Sequence, residues 1–219
     1  MVKAILFDID GTLVDSNDAH VEAWRQAFRQ HGFDIGPSRI HEQIGKGGDN
    51  LVPSLIPDAP SDVQDAVDQA HGEIYKTEFL PQVRPFPGAR DLLERASKAG
   101  KAVVLASSAS RPELDHYVAL LQAADIIDGS TSQDDVGHSK PCPDIFESAA
   151  KKAGVEPAEA IAVGDTPYDI IAARRSGIDA VAVRSGGFAE ESLGREQPVA
   201  IYDDVAALLA QFDRSPLAI

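Results

Sequence analysis

The sequence predicts an α/β fold: a Rossmann-like parallel-sheet core with helices on both faces, plus an inserted α-helical domain. Three observations predict it. Short β-branched runs alternate with amphipathic stretches through most of the chain, the pattern of parallel strands joined by helical crossovers. Residues 16–80 break that alternation and contain helical patterns but no convincing strand. The first apolar run, Ala4-Ile5-Leu6, leads into Phe-Asp-Ile-Asp-Gly-Thr at residues 7–12. Polar residues there sit at the carboxyl end of a strand, where open parallel sheets bind ligands.

Taken in order, the first strand is expected over residues 2–8. Helical patterns follow over 17–31, 37–44, 47–56 and 61–79, broken at Gly36-Pro37 and at Pro57–Pro60. A block of about 65 residues is too long for a loop. It reads as a small helical domain, residues 16–81, inserted into a core made of residues 1–15 and 82–219. The stretch Val83-Arg84-Pro85-Phe86-Pro87-Gly88 is its stiff return linker. Beyond it, helices are expected near 88–99, 111–122, 143–153, 167–176 and 203–213. Strands are expected over 101–107, 160–164, 179–184 and 198–202, with Asp125-Ile126-Ile127 a weaker candidate. Gly100, Gly154 and Gly177 stand where helical patterns stop, as left-handed C-terminal caps do. Asp144 and Asp203 stand at helix starts, where a negative side chain suits the dipole.

Composition narrows the function. The chain is 43% hydrophobic and 25% charged, an ordinary soluble balance. Its apolar runs, such as Ile161-Ala162-Val163, fall far short of the ~20 residues that cross a bilayer. Asp8 and Asp10 interrupt any signal-peptide core. A single cysteine, Cys142, excludes an intrachain disulfide and fits a reducing cytoplasm. Lys plus Arg total 20 against 35 Asp plus Glu, a net charge of −15 that disfavours nucleic-acid binding. The expectation is a cytoplasmic protein with neither membrane nor nucleic acid as partner. An anionic substrate would then need local positive charge, from a metal and a few placed Lys or Arg residues.

The chemistry concentrates at strand ends. Asp8 and Asp10 are like charges two residues apart, so keeping both ionised requires donors or a cation. Mg²⁺, hard and oxygen-seeking, is the economical choice. One carboxylate could attack phosphorus while the other passes protons. Ser107 follows Val103-Val104-Leu105-Ala106, Lys140 opens Lys-Pro-Cys-Pro-Asp, and Asp165 and Asp169 follow Ile161-Ala162-Val163-Gly164. Three carboxylates for a cation, a hydroxyl and an ammonium for an anion, and one carboxyl to spare make a phosphoryl-transfer set.

With these four segments in this order, the chain resembles the haloacid dehalogenase superfamily, in its phosphatase branch with a helical cap after the first strand. Asp8-Ile9-Asp10-Gly11-Thr12 matches DxDGT, Ser107 the second motif, Lys140 the third, and Gly164-Asp165-Thr166-Pro167-Tyr168-Asp169 matches GDxxxD. The resemblance implies that Asp8 is the nucleophile and forms an aspartyl-phosphate. It implies that Asp10 protonates the leaving oxygen and then deprotonates water, a task favouring a raised pKa. It further implies Mg²⁺ held by Asp8, the Asp10 carbonyl and Asp165, with Asp169 orienting that sphere. Ser107, Lys140 and Thr12 would grip phosphate. The implied reaction is hydrolysis of a small phosphorylated metabolite, of the phosphoglycolate or sugar phosphate type.

Two alternatives share these motifs: a phosphosugar mutase resembling β-phosphoglucomutase, and a catalytically idle binding protein keeping the fold. Asp10 argues against phosphonoacetaldehyde hydrolases and dehalogenases, which lack it. Substrate choice is expected at the turn around Lys46 and Gly47, whose glycines admit a ligand close to backbone, unless that turn is a flexible link with a solvated lysine. His20, on the first inserted helix, faces either the cleft or solvent. Trp24 and Phe28, four apart, read as core of the insert. Arg111 is either a substrate contact or a surface residue at a helix start.

Overall fold

The computed structural model describes all 219 residues. In chain order it forms β1 (Ala4–Phe7), β2 (Val14–Asp15), α1 (Asn17–Gln30), α2 (Pro37–His41), α3 (Gly48–Leu55) and α4 (Ser61–Ile74). Then come β3 (Arg84–Pro85), α5 (Ala89–Lys98), β4 (Ala102–Ala106), α6 (Arg111–Leu120), β5 (Gly129–Thr131) and α7 (Asp144–Ala153). The chain ends with β6 (Ala160–Gly164), α8 (Pro167–Arg175), β7 (Asp179–Val183), α9 (Glu190–Arg195), β8 (Ala200–Tyr202) and α10 (Val205–Ala210).

Six strands form one sheet in the order β5-β4-β1-β6-β7-β8, every pair parallel. The period of two along each strand divides its faces by size. Ile5, Phe7, Val103, Leu105, Ile161, Val163, Val181 and Val183 point to one side, with Leu92 and Leu93 of α5 and Val205 and Leu208 of α10. Leu6 and Val104 point to the other with six alanines, Ala4, Ala106, Ala160, Ala162, Ala180 and Ala182, where α7 and α8 bring Ile145, Phe146, Ala149 and Ile170. Small residues on that face leave room for these helices to lie close. The interior between sheet and helices is an apolar core.

The register decides the site. Phe7 pairs with Leu105 on one side and Val163 on the other. Asp8 therefore leaves β1 beside Ala106 and Gly164, and the next residues on those strands are Ser107 and Asp165. Three strand ends in register bring three motifs together.

The helical segment between β2 and β3 packs α1 against α4 and α2, and its apolar residues join the large-residue core. Trp24 and Phe28 are buried in it, their ring centroids 5.9 Å apart. Pro57 to Pro60 separate α3 from α4, as expected. α4 does not run to residue 79 as an ordinary helix; it passes into a π turn over Tyr75–Phe79 and a 3₁₀ turn over Leu80–Gln82.

Several expectations need correction. Residues 125–127 are turn; the edge strand is β5, and Ile126 is buried without ladder pairing. The return linker holds β3, which pairs antiparallel with β2, Val14 opposite Pro85 and Asp15 opposite Arg84. The last helix starts at Val205, capped by Asp204, whose carboxylate accepts the Ala207 amide at 2.7 Å; Asp203 instead pairs with Arg184. α9 has no counterpart in the sequence reading. Gly100, Gly154 and Gly177 do adopt positive φ, at 75°, 68° and 73°.

Candidate active site

Asp8 and Asp10 flank Ile9 at the start of a tight turn in which the amides of Thr12, Leu13 and Val14 all point to the Ile9 carbonyl. Gly11 makes that turn with φ of 73°. A side chain there would collide with the Asp165 carboxylate and the Asn17 amide, so only glycine lets β1 and β6 deliver their acids to one point.

Lys140 is the centre of charge. Fully buried, its ammonium contacts Asp8 Oδ1 and lies 2.7 Å from Asp169 Oδ1. Thr12 Oγ1 donates to Asp165 Oδ1 at 2.9 Å, with Asp8 Oδ2 at 3.4 Å. Asn17 Nδ2 donates to Asp165 Oδ2 at 2.9 Å and to the Gly186 carbonyl at 3.0 Å. Asp169 sits in the first turn of α8, its Oδ2 accepting the Thr166 amide at 3.0 Å and hydroxyl at 2.7 Å. That reciprocal cap stabilises the helix start and fixes the carboxylate, leaving Oδ1 to the Lys140 ammonium. Asp8, Asp165 and Asp169 can each offer an oxygen within 4.8 Å of the others.

Burial raises the Asp8 carboxyl to about 7, with Lys140 pulling against it and Asp169 adding to it. Burial likewise raises Asp165 well above the ordinary range, reinforced by Asp169 and Asp8. Lys140 stays charged because the two carboxylates outweigh the burial that would discharge it. Three carboxylates against one ammonium leave two negative charges uncompensated when all are ionised. A divalent cation is the charge that balances them, and an all-oxygen donor set is what Mg²⁺ takes, so these residues fit that ion.

Asp10 is held differently from the expectation of a raised carboxyl. Burial would raise it, but His20, Ser16 and Tyr117 together bring it below the usual value. All three bond to Oδ1: Ser16 Oγ at 2.6 Å, His20 Nε2 at 3.1 Å and Tyr117 OH at 2.7 Å. His20 therefore faces the cleft. Its Nδ1 meets His71 Nε2 at 3.3 Å, its ring stacks on Tyr75 at 3.7 Å, and His71 in turn stacks on Trp24 at 3.7 Å. Burial keeps His71 well below the ordinary histidine value, with His20 adding to the effect.

Above Asp8 and Asp10 opens a cavity of about 490 Å³ between the strand ends and the helical segment. Lys46, Gly47, Asp65, Asp68, Glu73 and Lys76 line its far side. Lys46 donates to Gln43 Oε1 at 2.5 Å and Ser54 Oγ at 3.0 Å, and lies 4.7 Å over the Tyr168 ring. The Gly47 amide donates to Ser139 Oγ at 3.0 Å, so this turn is tied to the residue before Lys140. Asn50 Nδ2 adds a bond to the same hydroxyl at 2.9 Å. Across the site, His41 Nε2 lies 3.0 Å from the Gly186 carbonyl and Tyr168 OH donates to the Glu42 carbonyl at 2.6 Å.

Ser107 is buried and its hydroxyl accepts the Ala109 amide at 3.0 Å, while Ser108 lines the cavity with an unpartnered hydroxyl. Arg111 lies outside the cavity lining, donating to Ser130 at 3.2 Å and Asp135 at 2.9 Å. The sequence reading missed Asn17, Tyr117, His71 and Ser139. Each reaches the site through a contact between residues distant in the chain, which no local pattern marks.

Comparison with known proteins agrees with this geometry. A family model described as haloacid dehalogenase-like hydrolase matches residues 2–177. The chain is similar to validoxylamine A 7'-phosphate phosphatase of Streptomyces hygroscopicus subsp. limoneus, 30% identical over 87% of this chain and 89% of that protein. It is similar to phosphoglycolate phosphatase of Rhodospirillum rubrum, 28% identical over 95% of this chain and 90% of that one. Among solved structures, a hydrolase from Pseudomonas syringae superposes with a TM-score of 0.92 at 31% identity, covering 98% of this chain and 99% of the other.

Proposed function

The chain belongs to the haloacid dehalogenase-like hydrolases, and from that premise we propose that it is a Mg²⁺-dependent phosphatase working through an aspartyl-phosphate on Asp8. Its substrate is a small phosphorylated metabolite of the phosphoglycolate or sugar phosphate type. The observation that carries this reading is the buried cluster of Asp8, Asp165 and Asp169, with Lys140 bridging Asp8 and Asp169 and Asp8 opening onto a polar cavity.

Asp8 attacks phosphorus through the oxygen that Lys140 does not hold. Lys140 and the hydroxyls of Thr12 and Ser107 meet the phosphoryl oxygens, where charge spreads in the transition state. Asp8, the Asp10 carbonyl and Asp165 would hold Mg²⁺, with Asp169 orienting them. Bound there, the ion neutralises carboxylate and phosphate charge that would otherwise repel nucleophile from substrate. Asp10 gives a proton to the leaving oxygen, and in the second half-reaction takes one from the attacking water. In the empty site His20, Ser16 and Tyr117 hold the Asp10 carboxyl low, so the protonated form this step needs is favoured only as the negative charge of the phosphate approaches.

Residues 16–81 act as a cap over a core of residues 1–15 and 82–219. Seated as here, the cap shields the reacting groups from bulk water and strengthens their electrostatics. Lys46, Gly47 and His20 lie where a leaving group would sit. Carboxylates outnumber ammonium groups on the cap wall, which favours a hydroxyl-rich leaving group.

The test is Asp8→Asn with Mg²⁺ and a panel of phosphate esters. Turnover falls more than 100-fold, above about 2.7 kcal/mol of barrier, and acid quenching of the wild type traps phosphate on Asp8. Retained turnover in the variant, or an adduct elsewhere, overturns the reading.

A further inference from the structure

Two buried phenols stand behind Asp10. Tyr117 OH donates to Asp10 Oδ1 at 2.7 Å, and Tyr75 OH lies 2.6 Å from Tyr117 OH. Both side chains are completely buried. A phenol has one proton to give. Tyr117 gives its proton to Asp10, so Tyr75 donates to the Tyr117 oxygen and the pair runs in one direction toward the carboxylate. Ser16 and His20 bond to the same Oδ1. Oδ2 is left without a protein partner, on a residue that lines the cavity.

The two phenols come from different parts of the chain. Tyr117 is on α6, which flanks the sheet. Tyr75 is the first residue of the π turn that ends α4, in the helical segment. Such widened turns are rare and recur at functional sites. Tyr75 of this turn reaches the proton-transfer group through Tyr117, while Ser16 and His20 reach it directly from the start of the same segment.

We propose that Tyr117, backed by Tyr75, is a positioning residue for Asp10, and that it couples the aim of that carboxyl to the seating of the helical segment. Three donors on one oxygen fix the rotation of the carboxylate and present the other oxygen to the leaving group. Removing one donor frees that rotation, and a misplacement of about 1 Å costs up to ~100-fold in rate. The Tyr75 bond exists only while the helical segment is seated. Proton transfer is thereby competent when the cavity is covered and impaired when it is open.

The inference rests on the phosphatase reading above. Its test is Tyr117→Phe, which removes one oxygen and keeps the ring. The measurement is kcat/KM, which reports the phosphorylation half-reaction alone, for an alkyl phosphate and for p-nitrophenyl phosphate. An alkoxide needs a proton to leave; p-nitrophenolate does not. The alkyl-to-aryl ratio falls about tenfold in Tyr117→Phe and about threefold in Tyr75→Phe, which spares the bond to Asp10. A purely structural role lowers both substrates equally, so an unchanged ratio in folded Tyr117→Phe overturns the proposal. If Tyr117→Phe does not fold, as read by circular dichroism, the ratio in Tyr75→Phe decides in the same way. A wild type without metal-dependent turnover of either ester sinks the phosphatase reading and this inference with it; an active wild type confines any failure to the inference.

Discussion

The strand-end site and the helical wall opposite it treat charge in opposite ways. At the ends of β1 and β6, every charged group is held by a partner. Lys140 bridges Asp8 and Asp169, Asp165 is held by Thr12 and Asn17, and Asp10 by three donors. On the wall, Asp65, Asp68 and Lys76 form no ion pair or side-chain hydrogen bond, and point into an open cavity. Tied charges are costly to displace and keep one geometry. Untied ones are available to whatever enters. On the proposed function, the difference separates a reacting centre locked in one geometry from a wall whose side chains could adapt to the leaving group.

Substitutions can break that division or sharpen it. Lys140→Ala should have the largest effect, lowering kcat about 100-fold or more for every ester alike. Losses that vary with the leaving group would make Lys140 a selector and blur the two regions. Lys46→Ala is expected to do the reverse. It reorders the ester panel by up to about tenfold in kcat/KM and leaves p-nitrophenyl phosphate nearly unchanged; a uniform decline would move Lys46 into the chemistry. Ser139→Ala removes the hydroxyl that takes the Gly47 amide and the Asn50 side chain, one residue from Lys140. It should raise KM roughly threefold with kcat held, a cost near 0.7 kcal/mol, measured by steady-state kinetics. A fall in kcat with KM constant would show that the wall acts on the reaction itself.

The smallest effect is on stability. Asp8, raised to about 7, and Asp165, raised also, keep protons in the metal-free fold that the unfolded chain releases above about pH 4. The fold binds more protons than the unfolded chain in that interval, so metal-free stability falls as pH rises from about 4 toward 7. On the proposed function, Mg²⁺ would take the place of those protons. It should raise Tm by a few degrees at pH 7.5 and by much less at pH 5, followed by thermal melting. Equal increments at both pH values would detach the ion from these carboxylates.

The sequence revealed the sheet because each long strand is a continuous apolar run with polar residues immediately after it. The same feature exposed Asp8, Asp165 and Asp169. It failed where the signal was too short or of the wrong kind. β5 is Gly129-Ser130-Thr131, three small polar residues whose strand state comes from pairing with β4, while the apolar Ile126-Ile127 beside it turns inward without pairing. α9 buries only Leu193, so no periodicity announces it. Tyr117 sits on α6 and is fully buried; only the tertiary structure reveals that its hydroxyl reaches Asp10. Asn17 carries no local mark of its reach to Asp165, 148 positions away. The depressed Asp10 carboxyl was unreadable for the same reason, since all three of its donors meet only in the folded chain.

The small ribbon of β2 and β3 places the chain's exit from the sheet beside its return. Everything between them hangs from two adjoining peptides, Val14-Asp15 and Arg84-Pro85. Such an attachment makes the intervening stretch a cassette: a different set of helices could be spliced in at that seam with two register pairs to match and no strand of the sheet disturbed. A lineage carrying this scaffold can therefore try new substrates by exchanging one contiguous block of sequence, provided the new block still supplies the donors that Ser16, Asn17 and His20 give to Asp10 and Asp165.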